Sequence, residues 1–180
     1  MRVVIQKVKN ASVTVEGQVI SSIGKGLMLL VGINTKDTSE DVAKLSKKLL
    51  GLRVFEDFSN PPDTKTKWEG RPWAKSLIDD SELQVLSVSQ FTLYGTLKKG
   101  TKPDFHRAAK GHHAVELYDE FLQTMRTGLG DESRVLDGQF GAMMDVQLTN
   151  DGPVTLIWDT QDPDINNDEH GNDESDNEED

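Results

Sequence analysis

Apolar and polar residues alternate in several short stretches of this chain. Val3 and Ile5, then Ala11, Val13 and Val15, stand between polar neighbours, with Lys9-Asn10 separating the two sets. A period of two is that of strands buried on one face, so strands are expected on both sides of Lys9-Asn10. Glu16-Gly17-Gln18 reads as a turn and Val19 to Ile23 as the strand after it. Past Gly24-Lys25-Gly26, the run Leu27-Met28-Leu29-Leu30-Val31 does not alternate, which predicts a central strand covered on both faces. The period then changes. Val42, Leu45 and Leu49 share one helical face between Ser39 and Leu50. Asp37, Thr38 and Ser39 offer capping oxygens, Glu40 and Asp41 suit the positive end of the dipole, and Gly51 is a stop.

Leu52 to Phe55 reads as a strand, residues 56 to 81 as a polar loop with Pro61, Pro62, Gly70 and Pro72, and Leu83 to Val88 as another strand. A basic loop fills 95 to 112. His113 to Arg126 carries Val115, Leu117, Tyr118, Phe121, Leu122 and Met125 at helical spacing. Met144, Val146 and Leu148 alternate again, Asn150-Asp151-Gly152-Pro153 punctuates, and Val154 to Trp158 is the last strand. Strands outnumber helices without regular βαβ order, which predicts an α+β domain over 1–158 with two helices. The spacing shows no internal repeat.

Charge divides the chain. Eleven of the 31 Asp and Glu lie between Asp159 and Asp180, with no Lys or Arg among them, so the body balances 20 acidic against 20 basic residues. The net charge of -11 belongs to the tail and does not exclude a nucleic-acid partner for the body. Residues 159–180 have Ile165 as their only large apolar side chain and are expected to be disordered. No stretch approaches the ~20 apolar residues of a membrane helix, and Met1 to Lys7 does not form a signal peptide. With no Cys, disulfides and thiolate metal sites are excluded. A cytoplasmic protein without membrane attachment is expected.

Common catalytic signatures are missing: no Gly-rich phosphate loop, no dinucleotide fingerprint, no G-x-S-x-G and no H-E-x-x-H. His112 and His113 are adjacent and cannot share one helix side; no metal or other cofactor is expected. Chemistry in such a chain would fall to backbone N–H groups or to the substrate itself.

Two segments carry the functional reading. Ser89-Gln90-Phe91-Thr92-Leu93 ends a strand, and Asn150-Asp151-Gly152-Pro153-Val154-Thr155 lies near the C-terminus. Taken alone, the first fits a strand end with Phe91 and Leu93 in the core. The second fits a hairpin turn, although a Gly-Pro bond also adopts cis at a cost of only ~0.5–1 kcal/mol. Together, in this order, they resemble the two signature motifs of the D-aminoacyl-tRNA deacylase family. Ile5-Gln6-Lys7-Val8 and Ala11-Ser12-Val13-Thr14-Val15 resemble that family's opening hairpin, and Lys102-Pro103-Asp104-Phe105-His106 and Phe140-Gly141-Ala142-Met143-Met144 its substrate-side segments. The resemblance runs from Met1 to about Trp158.

The resemblance implies a homodimer with largely antiparallel sheets forming a barrel-like body, acting on aminoacyl-tRNA. It implies hydrolysis of the ester of D-aminoacyl-tRNA and glycyl-tRNA. Main-chain N–H groups at Phe91 and Thr92 would hold the ester, with the neighbouring ribose hydroxyl assisting water. Ser89, Gln90, Leu93, Asn150, Val154 and Thr155 would line the substrate site. Gly152-Pro153, in cis, would enter the partner subunit's site and reject L side chains. Phe140 and Met144 would form the pocket for the terminal adenine; core packing is the alternative. The basic stretch Lys98, Lys99, Lys102, His106, Arg107 and Lys110, with Phe105 inside it, is either a solvated loop or a set of contacts to tRNA phosphates. The family usually carries Arg where this chain has Lys7, and that Arg is thought to brace the Gly-Pro unit.

Overall fold

The computed structural model describes residues 1–59, 70–97 and 100–162. One sheet organises them. Strand β1 (Arg2–Val15) lies at its centre; β2 (Gln18–Ile23) and β3 (Gly26–Gly32) pair antiparallel along its two halves. β6 (Gln84–Ser89) and β7 (Val135–Asp137) extend the sheet in parallel fashion from β3. β8 (Asp145–Asp159) pairs antiparallel with the other edge of β1. The order is β2-β1-β3-β6-β7, and the sheet curls so that Ser21 Oγ of β2 donates to the Asp137 carbonyl of β7 at 2.5 Å. The α+β, barrel-like body is therefore present, with two parallel pairings among the antiparallel ones. A separate hairpin, β4 (Phe55–Asp57) and β5 (Arg71–Lys75), takes up part of the expected polar loop; residues 60–69 lie outside the described range.

The expected central strand is β3, whose residues are buried except for a half-buried Leu30. It approaches its neighbour so closely that a Cβ on Gly26 would lie 1.8 Å from the Gln84 carbonyl oxygen. The helices α1 (Ser39–Gly51) and α2 (Gly111–Leu129) pack on one face of the sheet. Val42, Leu45 and Leu49 meet Leu117, Phe121 and Met125 over Val3, Leu27 and Leu29. The opposite face buries Val8, Val13, Met28 and Leu86, with Met144 and Val146 packed against them.

Two expected breaks are absent. Lys9-Asn10 does not separate two strands; Lys9 is an extra residue in β1 between the Val8–Asn150 and Asn10–Thr149 pairs. Asn150-Asp151-Gly152-Pro153 does not turn a hairpin either. The Gln6–Thr155 and Val8–Asn150 pairs flank a bulge in which Asp151 to Val154 face only Lys7. Local turn propensity yields here to pairing of two long strands on both sides.

The amino terminus is joined to the residues that follow β8. The charged amino group of Met1 lies 2.8 Å from Asp37 Oδ1, and Thr160 Oγ1 is 2.5 Å from it. Thr160 Oγ1 and Gln161 Nε2 donate to Asp41 Oδ1 at 2.6 and 2.5 Å, and Arg2 pairs with Asp159 at 2.8 Å. Asp159 to Gln161, placed with the tail by composition, are thus bonded to the body. Burial works to raise the Asp41 pKa, but hydrogen bonds from Thr160, the Thr38 backbone and Gln161, with the amino terminus nearby, bring it below the ordinary 3.8. A depressed folded-state value stabilises above the unfolded value and is lost as pH falls through the folded one. Urea midpoints measured on either side of pH 3.8 should therefore drop more steeply with acid for the intact chain than for Asp41→Asn; parallel curves would refute the assignment.

Candidate active site

The parallel strands β3 and β6 end side by side, and the chain at the end of β6 turns directly into a 3-10 turn, Phe91–Tyr94. Gln90 N–H donates to the Val31 carbonyl at 2.7 Å, which ties this turn to β3. A cleft of about 720 Å3 opens there, within the ~300–1,000 Å3 range of small-ligand sites. Ser89, Gln90, Phe91 and Thr92 form one side, Phe140 and Met144 another, and Lys110 and Gly111 at the start of α2 a third.

The start of the 3-10 turn matters chemically. The first N–H groups of a helical turn have no carbonyl behind them, and Phe91 and Thr92 hold those positions. Both residues are exposed to the cleft, and the Phe91 ring stands edge-on to Phe105 at 5.1 Å. Thr92 Oγ1 accepts from Gln90 Nε2 at 2.6 Å. Among the described residues no imidazole or carboxylate bonds to that hydroxyl, so nothing here would activate it as a nucleophile. Nor, among the described residues, do three or more His, Asp or Glu converge as a metal site would require.

Phe140 is 42% exposed, and its ring lies 5.8 Å from that of Tyr118. The Tyr118 hydroxyl is buried and donates to Ser87 Oγ at 3.0 Å; burial pushes its pKa far up, so it remains a neutral prop beneath Phe140. Met144 is half-buried against Val88 and Val146, and its sulfur accepts from Gln139 N–H at 3.4 Å. Phe140 therefore offers an exposed ring to the cleft, and Met144 serves both the core and the cleft wall.

The remaining candidate residues lie elsewhere. Leu93 does not line the cleft; its carbonyl accepts from Arg2 Nη1 at 3.1 Å. Gly152, Pro153 and Val154 lie in the β8 bulge and Asn150 and Thr155 in the pairs that flank it, and none of them lines the cleft of its own chain. The Gly152–Pro153 peptide is cis, and both residues are exposed. Asn150 Nδ2 is buried without a hydrogen-bond partner among the described residues. Of the basic loop, Lys102 and Arg107 are exposed away from the cleft, and Lys98 and Lys99 lie outside the described residues. Lys110, the last residue of the basic stretch, does line the cleft, as does Ala114 on the first turn of α2, to which no motif pointed.

Lys7 faces the bulge. It is 2% exposed, bonds Glu56 Oε1 through Nζ, lies 3.5 Å from Asp151 Oδ2 and sits over the Phe55 ring at 5.9 Å. Burial works to raise the Glu56 pKa, but the Lys7 hydrogen bond and the Lys7 and Lys25 charges bring it below the usual range. The ammonium thus reaches the residue next to Gly152. Lys7→Met keeps the stem and removes the charge. It should cost about 3 kcal/mol, because Glu56 loses its main partner in a largely buried place. The deacylation that the resemblance implies should also fall. Adding Glu56→Gln should restore most of the stability but not the rate; full activity in Lys7→Met would show that the bulge needs no brace.

Comparison with known proteins agrees with this geometry. The family model for D-Tyr-tRNA(Tyr) deacylase matches residues 4–159. A D-aminoacyl-tRNA deacylase from Eremothecium gossypii is 54% identical, covering 89% of this chain and 99% of that protein. Another from Drosophila melanogaster is 49% identical, covering 87% and 90%. A solved structure, the c-Myc DNA Unwinding Element Binding Protein, superposes with a TM-score of 0.78 at 42% identity, covering 89% of this chain and 99% of its own. A sheet whose β3 and β6 ends hold the Ser89 motif, a β8 bulge holding Gly152-Pro153, and relatives matching nearly end to end lead to one conclusion: the chain belongs to the D-aminoacyl-tRNA deacylase family.

Proposed function

We propose that this chain hydrolyses the ester bond of D-aminoacyl-tRNA, and of glycyl-tRNA, as a cytoplasmic homodimer that proofreads chirality. The observation that carries this reading is the cleft built from Ser89–Thr92 and Phe140–Met144, together with an exposed Gly152–Pro153 unit outside it. The terminal adenine lies against Phe140 and Met144, and the phosphate before it reaches Lys110 and the start of α2, whose free N–H groups favour an anion. The ester carbonyl faces the Phe91 and Thr92 N–H groups. Water attacks, the carbonyl oxygen takes the charge, and those donors stabilise it. The ribose hydroxyl beside the ester assists. The products are the free amino acid and tRNA.

Dimerisation supplies the missing half of the site. Among the described residues no strand pairs with the outer edge of β8, and Leu156 and Ile157 on it are 38% and 57% exposed. A second copy docked on this face carries its Gly152–Pro153 into the partner cleft, where the bulge carbonyls block an L side chain and spare a D one.

One observation favours a second reading. The related DNA Unwinding Element Binding Protein is named for binding nucleic acid. A deacylation time course on D-Tyr-tRNA separates the two: turnover supports hydrolysis, and binding without turnover supports the second reading.

A further inference from the structure

A second cavity, of about 610 Å3, opens along the later half of α1, and among the described residues none lines both cavities. Its cations are Lys44, Lys47, Lys48 and Arg53, all exposed; its apolar surface comes from Leu52 and Trp158. Lys44 lies three and four residues before Lys47 and Lys48, a spacing at which like charges on a helix repel. Lys48 Nζ rests over the Trp158 ring at 5.7 Å. None of the four cations is within ion-pair distance of a carboxylate among the described residues, although the Arg53 charge reaches Asp79 from farther off. In a body whose charges balance, this concentration of unpaired cations calls for an anion.

The chain supplies one at the groove's rim. Thr160 lines the cavity, and Thr160 and Gln161 are fastened to Asp41, about one turn of α1 before Lys44 and two before Lys48. From there 18 residues remain, 163–180, with nine Asp or Glu and no Lys or Arg. We infer that this segment folds back onto the α1 groove and neutralises it. Asp164, Asp168 and Glu169 meet the four cations, and Ile165 meets Leu52 and Trp158. A residue spans up to ~3.3–3.6 Å and a helix rises 1.5 Å per residue, so the first few tail residues cover the groove. Attachment beside the site gives an effective concentration on the order of millimolar, enough for exposed ion pairs that are individually weak. The charges do what the tail's lack of apolar surface cannot. The docked tail keeps other polyanions, such as an RNA backbone, off this face.

The test is zero-length carbodiimide cross-linking of the full chain, read by mass spectrometry. Tail carboxylates should join to Lys44, Lys47 and Lys48 well ahead of the exposed Lys9, Lys36 and Lys102. Yield should fall several-fold between about 0.05 M and about 0.5 M salt, as screening shortens the reach of charge. In a mixture of isotopically heavy and light protein, the links should stay within one chain. The double variant Lys44→Glu, Lys48→Glu should lose the preference while retaining its melting temperature and deacylation rate, because neither residue lines the catalytic cleft. Links spread evenly over exposed lysines, links that persist in that variant, or links between heavy and light chains would each overturn the inference. Neutralising the tail by Asp164→Asn, Asp168→Asn and Glu169→Gln gives an independent readout. A single-stranded RNA oligonucleotide should bind this variant several-fold more tightly than the unaltered chain; equal binding means the tail leaves the groove open.

Discussion

D-Tyr-tRNA and Gly-tRNA should lose their amino acids rapidly in the presence of this protein, while L-Tyr-tRNA is spared by a factor of ~10² to 10³. The expectation follows from how the proposed site selects. A bulge that blocks an L side chain cannot exclude an amino acid that has none, so glycine is cleaved with the D series. Each ~1.4 kcal/mol is tenfold in rate, so a clash of ~3–4 kcal/mol supplies the discrimination. Rejection of this kind acts against the wrong substrate and not through affinity for the right one. It should depend on Gly152. This residue holds φ +118°, where side chains are strained, and a Cβ there would sit 3.2 Å from Val154 Cγ2. Gly152→Ala should therefore depress cleavage of every substrate. The measurement is a deacylation time course on the three charged tRNAs. Rapid release of L-Tyr, or survival of Gly-tRNA at enzyme levels that clear D-Tyr-tRNA, would show that selection works some other way.

How much of this was legible in the sequence depended on whether a feature was local. The helix α1 is legible almost to its ends, because Val42, Leu45 and Leu49 set its face and its capping residues mark its start. For α2 the apolar face was read correctly, but the helix extends to Gly111 and Leu129; the left-handed Gly130 that closes it carried the signal. By local pattern β1 and β8 each divide into two pieces. Lys9-Asn10 and Asn150 to Pro153 are turn-like within a short window. The force that carries the strands through them is pairing with each other, between residues more than a hundred positions apart. The cleft was legible in a similar way. Ser89–Thr92 and Phe140–Met144 stood out by resemblance, yet Lys110 and Ala114 reach the cleft only because α2 begins beside the ends of β3 and β6. Lys7 departs from the family pattern in the sequence, and only the fold shows that it is buried between Glu56 and Asp151.

The catalytic assignment makes the second large prediction, and it concerns the backbone. If the Phe91 and Thr92 N–H groups carry the oxyanion, the Thr92 side chain is dispensable and its amide nitrogen is not. Thr92→Ala removes the acceptor of the Gln90 hydrogen bond and should leave the rate on D-Tyr-tRNA within about tenfold, since that bond is exposed and contributes little. Replacing the same residue by its α-hydroxy counterpart keeps the side chain and exchanges the N–H for an ester oxygen. This should lower kcat by ~10² to 10³, the usual effect of losing one oxyanion donor. The fold should tolerate the exchange, because Thr92 lies in the first positions of the 3-10 turn, where the amide has no carbonyl partner to lose. KM should move little, since the interaction strengthens only as charge develops. The reverse pattern, a collapse of activity in Thr92→Ala with the ester variant active, would make the hydroxyl a nucleophile and require a covalent aminoacyl intermediate at Thr92.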